Sequence, residues 1–293
     1  MSNNNLALLA AAAYGKFHNL NNKDEIQDNL KIENLSESQA RSFTDTYDII
    51  AHQSNTANGY SGTLVINKKT NQMFLLHRGT EFSTKEDKIA DFELAITGLP
   101  QKQVEDAKHF VDDLIRRKII TRSFTNVSHS LGKTIGDAIH FTTDLSEGSI
   151  GFNGSGLSFW KGSLNVDSSS HYISDVPDSR FADKIKNRIF LEKLARENGN
   201  TFNFKKGNTV NYVSNGIRIV PNNIIYDQFG EVININIGNT THSITPFINP
   251  MDNIGVIDKI VAITPKSSSN RQNSCQYLFS LNVSNFFYLE NPV

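Results

Sequence analysis

The sequence predicts an α/β domain, in which a mostly parallel sheet is flanked by helices. Short apolar runs typical of strands alternate with segments of helical period, and turn-forming residues separate them. No internal repeat or clear linker divides the 293 residues, and a chain of this length is commonly one large α/β domain. We therefore expect a single domain over residues 1–293, with residues 255–293 as a C-terminal extension.

The first part of the chain predicts helices followed by strands. Residues 6–16 are small and apolar, which indicates a buried helix, and residues 19–46 are polar with helix-compatible stretches. Three runs rich in Ile, Val, Leu and Phe then predict successive strands, separated by turn-like clusters. These runs are Tyr47–His52, Gly62–Ile66 and Gln72–His77.

Helices and strands alternate in the rest of the chain. Apolar residues recur at helical spacing, with charged residues between them, in Lys102–Arg117. Further elements are expected, in chain order, at a strand Phe124–Val127, a helix Thr134–Phe141, a helix around Arg180–Asn198, and strands Thr209–Ser214 and Glu231–Ile237. This alternation favours parallel strands that lie side by side beneath helices.

Charge and composition exclude several classes of function. The formal net charge is −1, so the chain has no basic field with which to hold nucleic acid. The sequence contains no zinc-type Cys/His spacing, no phosphate-binding Gly-x-x-x-x-Gly-Lys and no dinucleotide Gly-x-Gly-x-x-Gly. We therefore expect neither a metal nor another cofactor. Composition gives no indication of the oligomeric state.

The single cysteine and the first residues bear on the compartment. Because Cys275 is the only cysteine, no internal disulfide can form, and folding in a reducing compartment is permitted. A signal-peptide core is one interpretation of Leu6–Tyr14, but no Lys or Arg precedes it, which favours the buried helix. We expect a cytoplasmic protein, or one exported by a route independent of a signal peptide.

The segment that carries chemistry is Phe124-Thr-Asn-Val-Ser-His-Ser-Leu-Gly132, between a predicted strand and a predicted helix. A serine hydroxyl is a weak nucleophile unless a base takes its proton. A sharp strand-to-helix turn exposes the hydroxyl of Ser130 and leaves the backbone N–H of Leu131 free to bind an oxyanion. Small residues on both sides let such a turn close, and Ser128 stands where glycine is usual. The alternative is an ordinary turn.

A second segment, Phe74-Leu-Leu-His-Arg-Gly-Thr-Glu81, runs from a strand into Arg78-Gly79-Thr80. Taken alone, it could be a surface turn with a solvated arginine. The two segments, in this order, resemble the class 3 lipase family, the fungal-lipase-like branch of the α/β hydrolases. Members carry Arg-Gly-Ser/Thr after an early strand, a helix with an aspartate, and then Gly-His-Ser-Leu-Gly. Here Asp91 stands where that aspartate is expected, and the resemblance covers residues 6–245.

The resemblance implies an α/β-hydrolase fold and cleavage of a lipid carboxyl ester, as by an acylglycerol lipase or a phospholipase A1. It implies an acyl-enzyme on Ser130 and oxyanion binding by the backbone N–H groups of Thr80 and Leu131. The implied partner is a lipid or ester substrate, met through transient contact with a membrane surface.

The catalytic base expected by resemblance is His242, in Thr-Thr-His-Ser-Ile after the strand that begins at Glu231. It follows the serine in the chain, as in α/β hydrolases. His171, in a loop, is the alternative. His129 lies in the serine turn and points elsewhere, whereas His77 and His52 lie on strands, where packing or a surface position is expected.

The acid of the triad is where the sequence departs from the family. The expected aspartate position holds Ile217 or Arg218, and neither side chain can accept the histidine N–H. Asn215 could orient the ring through its carbonyl oxygen, and Asp227 could supply a carboxylate from another loop. The departure leaves three interpretations: a relocated acid, a weak serine–histidine dyad, or an inactive enzyme.

A non-catalytic binding protein on the same fold is therefore the competing hypothesis. Ser128 in place of glycine, Lys133 in place of glycine and the missing aspartate all favour it. A fluorophosphonate probe distinguishes the two, since it should label Ser130 in an enzyme and leave a binding protein unlabelled.

Overall fold

The computed structural model describes residues 6–79, 98–162, 179–214, 227–235, 243–244 and 247–248. Within them, the helices are α1 (Leu6–Ala12), α2 (Lys23–Ile32), α3 (Glu37–Thr46), α4 (Gln101–Arg116), α5 (Leu131–Thr142) and α6 (Ser179–Arg196). The strands are β1 (Tyr47–Gln53), β2 (Gly62–Asn67), β3 (Met73–His77), β4 (Phe124–His129), β5 (Ser146–Phe152), β6 (Thr209–Ser214) and β7 (Glu231–Ile235).

The strands form one sheet whose spatial order follows the chain, β1 to β7. The first three strands pair antiparallel, and every pair from β3 onward is parallel. The helices between parallel strands allow this arrangement, because a parallel pair needs a crossover connection. Consequently the carboxyl ends of β3 to β7 lie along the same edge of the sheet.

Both faces of the sheet are covered by helices. On one face, α1 packs on β3, β4 and β5, and its residues are buried along their whole length. On the other face, α5 packs on the same three strands, and α4 and α6 pack against α5. Two apolar clusters result, one on each side of the sheet. Burial on both faces explains the continuous apolar run Met-Phe-Leu-Leu of β3.

The predicted fold class is confirmed, since the described chain is a mostly parallel sheet flanked by helices in the arrangement of an α/β hydrolase. The prediction of secondary structure was wrong at β5, Ser146–Phe152, where no strand was expected. It also began α5 at Thr134, whereas the helix begins at Leu131, directly after the serine. The C-terminal extension at 255–293 lies outside the described residues.

Within the residues that the structure describes, no helix is long and apolar enough to cross a membrane.

Candidate active site

Ser130 lies between the last residue of β4 and the first residue of α5, in a strained backbone conformation. Its φ is 55° and its ψ is −130°. Such a conformation is costly for a residue with a side chain, on the order of 1–3 kcal/mol, and persists only where its surroundings fix it. The Ser130 N–H donates to the Phe152 carbonyl at 3.1 Å. Its carbonyl accepts the N–H groups of Lys133 and Ser155, at 3.0 and 3.2 Å.

The Arg78-Gly79 turn lies directly against the serine turn. A Cβ on Gly79 would stand 2.6 Å from the His129 carbonyl oxygen and 3.0 Å from the Cβ of Ser130. A Cβ on Gly132 would stand 2.4 Å from the His77 carbonyl oxygen. Both glycines are therefore required by the close approach of two backbones. The two sequence segments are brought together, and Thr80, the next residue, lies outside the described residues.

Leu131 is the first residue of α5 and is buried. The N–H of a first helical residue has no acceptor inside its own helix, and the helix dipole adds positive potential there. An anion at this place would therefore be stabilised. The predicted position of Leu131 beside the serine fits an oxyanion donor.

His129 forms a hydrogen bond with a residue that the sequence did not single out. The Tyr14 hydroxyl lies 2.7 Å from His129 Nδ1. The same hydroxyl would be 2.6 Å from a Cβ on Gly79. Tyr14 follows α1, so this contact ties the first helix to both turns. No local signal in the sequence distinguishes Tyr14 from the other tyrosines.

The histidines of the strands are packed, as expected. His77 Nε2 lies 2.9 Å from Asn126 Oδ1 in the core, and His52 Nδ1 lies 2.9 Å from Thr63 Oγ1. Burial lowers the pKa of each imidazole to about 4, because desolvation disfavours the charged form. These contacts pack both rings against residues of neighbouring strands and do not place them for catalysis.

His77 belongs to a chain of hydrogen bonds between the sheet and α5. The Tyr60 hydroxyl lies 3.4 Å from His77 Nδ1, and the Asn126 amide donates to Ser146 Oγ at 2.7 Å. Ser146 Oγ in turn lies 2.8 Å from His140 Nδ1. His140 Nε2 then lies 2.8 Å from the carbonyl oxygen of Gly207. If His77 donates from Nε2 to Asn126, every link donates in the same direction, from Tyr60 towards Gly207.

In the sheet, β5, β6 and β7 follow the serine strand β4 in that order. His242, the alternative His171, and the acid positions Asn215, Ile217 and Arg218 lie outside the described residues, as does Asp91. The triad therefore stays a prediction.

Asp227 is described, and its surroundings differ from those expected of a triad acid. Its carbonyl oxygen accepts the Leu157 N–H at 3.0 Å, and its carboxylate forms an ion pair with Lys161 at 3.2 Å. The carboxylate is about a third exposed, at 37%. Asp227 precedes β7, whereas Ser130 follows the carboxyl end of β4, which runs in the same direction. This placement favours a surface ion pair, while the catalytic role of Asp227 stays a prediction.

Lys133, one turn into α5, is buried and forms an ion pair with Asp137. Burial disfavours both charges, so it lowers the pKa of Lys133 and raises the pKa of Asp137. The charge of each partner acts in the opposite direction on the pKa of the other. The spacing of four residues was visible in the sequence. On a helix whose residues are all buried, a lysine and an aspartate four positions apart indicate an ion pair.

Within the described part of the chain, no group of three or more His, Cys, Asp or Glu side chains could hold a metal ion.

No protein-family model and no curated protein sequence matches the chain. Among solved structures, it is similar to lipase II from Rhizopus niveus, with 11% identity and a TM-score of 0.37 over 72% of this chain and 69% of that one. It is also similar to the Lip2 lipase from Yarrowia lipolytica, with 14% identity and a TM-score of 0.45 over 79% and 77%.

Proposed function

We propose that the protein is a serine hydrolase that cleaves carboxylic esters of lipids, as an acylglycerol lipase or a phospholipase A1 of the class 3 type. The observation that carries the proposal is the turn at Ser130. A strained serine between a parallel strand and a buried helix, packed against Arg78-Gly79, is the arrangement that a nucleophilic serine requires. An ordinary turn has no need of this strain.

In the proposed reaction, Ser130 Oγ attacks the carbonyl carbon of the ester while His242 takes its proton. The carbonyl oxygen becomes an oxyanion, which the backbone N–H groups of Leu131 and Thr80 bind. The carbon–oxygen bond to the alcohol then breaks, and His242 returns the proton to the leaving alcohol. Water, deprotonated by His242, finally attacks the acyl carbon, and the bond between that carbon and Ser130 Oγ breaks. His242 returns the proton to Ser130 Oγ, and the fatty acid is released.

The acid is proposed in two forms. Asp227 would supply a carboxylate, but it would have to leave Lys161, with which it is paired. Asn215 would orient the imidazole without supplying charge. The substrate would be reached through transient contact with a lipid surface.

The test is hydrolysis of liposomes with product analysis by mass spectrometry, together with labelling by a fluorophosphonate probe. Ser130→Ala should abolish labelling and lower turnover by about 10⁶-fold, as loss of a nucleophile does in serine hydrolases. The matched control is Ser123→Ala, because Ser123 lies just before β4 and is exposed. If Ser130→Ala keeps more than a few per cent of the activity, Ser130 is not the nucleophile.

The remaining triad members are tested in the same assay. His242→Ala should be as damaging as Ser130→Ala, and the double variant no worse, because groups that act as one unit lose function together. Asp227→Asn should lower turnover by at least about 10²-fold if Asp227 is the acid, with a smaller effect of Asn215→Ala. If Asp227→Asn keeps full activity, Asp227 is not the acid, and its carboxylate serves only in the ion pair with Lys161.

The competing function is a binding protein on this fold, favoured by the absence of aspartate at positions 217 and 218. An unmodified protein that hydrolyses no ester and takes no label supports this function and overturns the proposed one.

A further inference from the structure

Lys133 occupies a place that a small residue would normally fill, directly behind the serine. It is the third residue of α5, and its side chain has no exposed surface. In the family that the sequence resembles, glycine stands there. A buried lysine so close to the serine turn requires space for its alkyl stem and a partner for its charge.

The space is supplied by two glycines on the facing segment. A Cβ on Gly151 would lie 2.2 Å from Lys133 Cδ, and a Cβ on Gly154 would lie 2.4 Å from Lys133 Cβ. Neither glycine has a positive φ, so the backbone there would accept any residue. The obstacle to a side chain at Gly151 is therefore Lys133 itself. The helix thus has lysine where the family has glycine, and the facing segment has glycine at two positions.

The partner is supplied by the same helix. Asp137 lies one turn further along α5 and is itself almost fully buried, with 1% of its surface exposed. An unpaired buried charge is strongly unfavourable, so the ion pair is what permits the stem of Lys133 to lie in the core. Because its end is held by Asp137, the stem is fixed against Gly151 and Gly154.

This fixed stem lies against the segment that determines the conformation of Ser130. Phe152, next to Gly151, accepts the Ser130 N–H, and Ser155, next to Gly154, donates to the Ser130 carbonyl. The Lys133 N–H donates to the same carbonyl. Lys133 therefore connects α5 to Phe152 and Ser155, whose hydrogen bonds to Ser130 maintain the positive φ of the serine.

We propose that Lys133 is a positioning residue for Ser130, whose stem, packed on Gly151 and Gly154 and anchored by Asp137, holds the serine turn in its strained conformation. This inference rests on the proposed function, since it assigns Lys133 a role in the reactivity of Ser130. It also explains why lysine in place of glycine is compatible with a working site.

The packing is tested by a double-mutant cycle on thermal stability. In the unmodified protein, Gly151→Ala should lower the Tm by about 5 °C or more, because the added Cβ collides with the held stem. In a background that carries Lys133→Ala and Asp137→Ala, the same Gly151→Ala should leave the Tm unchanged or raise it, because the added methyl fills vacated space. Equal losses in both backgrounds overturn the packing argument.

The positioning role is tested by kinetics on the folded variants. Lys133→Ala with Asp137→Ala should lower kcat about 10-fold or more and slow fluorophosphonate labelling by the same factor, with KM unchanged. Lys133→Met with Asp137→Leu should recover most of both rates, because an unbranched stem fills the same space and apolar packing on the introduced leucine replaces the ion pair that held its end. A normal kcat in the first variant, or no recovery in the second, overturns the proposal.

The chain offers a matched control on another helix. Lys108 and Asp112 of α4 form an ion pair with the same spacing, and the Lys108 side chain is equally buried. Lys108→Ala with Asp112→Ala should lower the Tm without changing kcat or the labelling rate. If it lowers kcat as much as the Lys133 variant does, the effect is general loosening and not positioning. An unmodified protein without hydrolysis or labelling overturns the proposed function and the positioning role together, whereas an active Lys133 variant overturns only the latter.

Discussion

Among the residues that the structure describes, two tyrosine–histidine pairs lie on opposite faces of the sheet. Tyr60 and His77 lie between the sheet and α5, with the hydroxyl 3.4 Å from Nδ1. Tyr14 and His129 lie on the α1 side, with the hydroxyl 2.7 Å from Nδ1. Both histidines end a strand that leads into a turn of the candidate site. The chemical groups are the same, but their surroundings give them different roles.

The pair of Tyr60 and His77 is the beginning of a buried chain of hydrogen bonds that continues through Asn126. Such a chain satisfies polar groups within the core and fixes strands relative to one another. The pair of Tyr14 and His129 instead lies beside Gly79 and Ser130. The comparison indicates that the first pair serves stability, and the second the geometry of the site.

The largest effect is expected from breaking the buried chain at its centre. Asn126→Leu leaves the N–H of His77 and the groups of Ser146 and Gly148 without their partner inside the core. We expect the free energy of unfolding to fall by about 3–5 kcal/mol, since each abandoned buried group costs about 1–3 kcal/mol. Urea denaturation measures this loss. A loss below about 1 kcal/mol would show that these contacts do not act together.

The second effect is a dependence of stability on pH. Burial lowers the pKa of His77 to about 4, whereas an unfolded histidine titrates near 6.5. Between these values the unfolded chain binds a proton that the folded chain does not, so stability is present above pH 6.5 and is lost as the pH falls towards 4. His77 alone should account for about 2 kcal/mol at pH 5.

Denaturation at pH 7.5 and 5.0 tests this expectation, and His77→Gln is the control because glutamine does not titrate. The difference in stability between the two pH values should shrink by about 2 kcal/mol in the variant. His52 and His140, whose pKa values burial lowers to about 4 as well, should keep part of the slope in place. An unchanged slope in His77→Gln would contradict the assignment.

The third effect concerns the other pair. Tyr14→Phe removes the hydroxyl that contacts His129 and lies against Gly79. We expect kcat for ester hydrolysis to fall about 10-fold with KM little changed, because small displacements of a reacting group are costly in rate. The Tm should change by only a few degrees. A large fall in Tm with normal kcat would place Tyr14 among the residues that serve stability alone.

The smallest effect is expected from the matched change on the opposite face. Tyr60→Phe removes a hydroxyl whose distance of 3.4 Å from His77 Nδ1 makes a weak hydrogen bond. Stability should fall by about 1 kcal/mol or less, and kcat should be unchanged. If Tyr60→Phe lowers kcat as much as Tyr14→Phe does, the two pairs do not differ in role.

The sequence by itself determined the local secondary structure. The pattern of apolar residues and the turn-forming clusters predicted the first helix, six of the seven described strands, the helices from α4 onward and the α/β class. The strand, serine and helix around Ser130 were predicted for the same reason, since each signal lies within a few neighbouring residues. The roles of Ser130, Leu131, Thr80 and His242 stay predictions.

Strand β5 could not be predicted, because its sequence Ser-Glu-Gly-Ser-Ile-Gly-Phe contains two glycines and little of the strand pattern. The reason for one of them, Gly151, lies on another element, where the stem of Lys133 occupies the place of its side chain. When a residue is required by a side chain on another element, the sequence around it gives no indication of that requirement.

Tertiary structure alone decided which groups meet at Ser130. Tyr14 and His129 are 115 positions apart in the chain, yet their side chains are in hydrogen-bond contact. The approach of Gly79 to Ser130 and the fit of Lys133 to Gly151 likewise depend on how the helices pack on the sheet. Periodicity determines which face of a helix or strand is buried, whereas close packing of the folded chain determines which side chain it meets there.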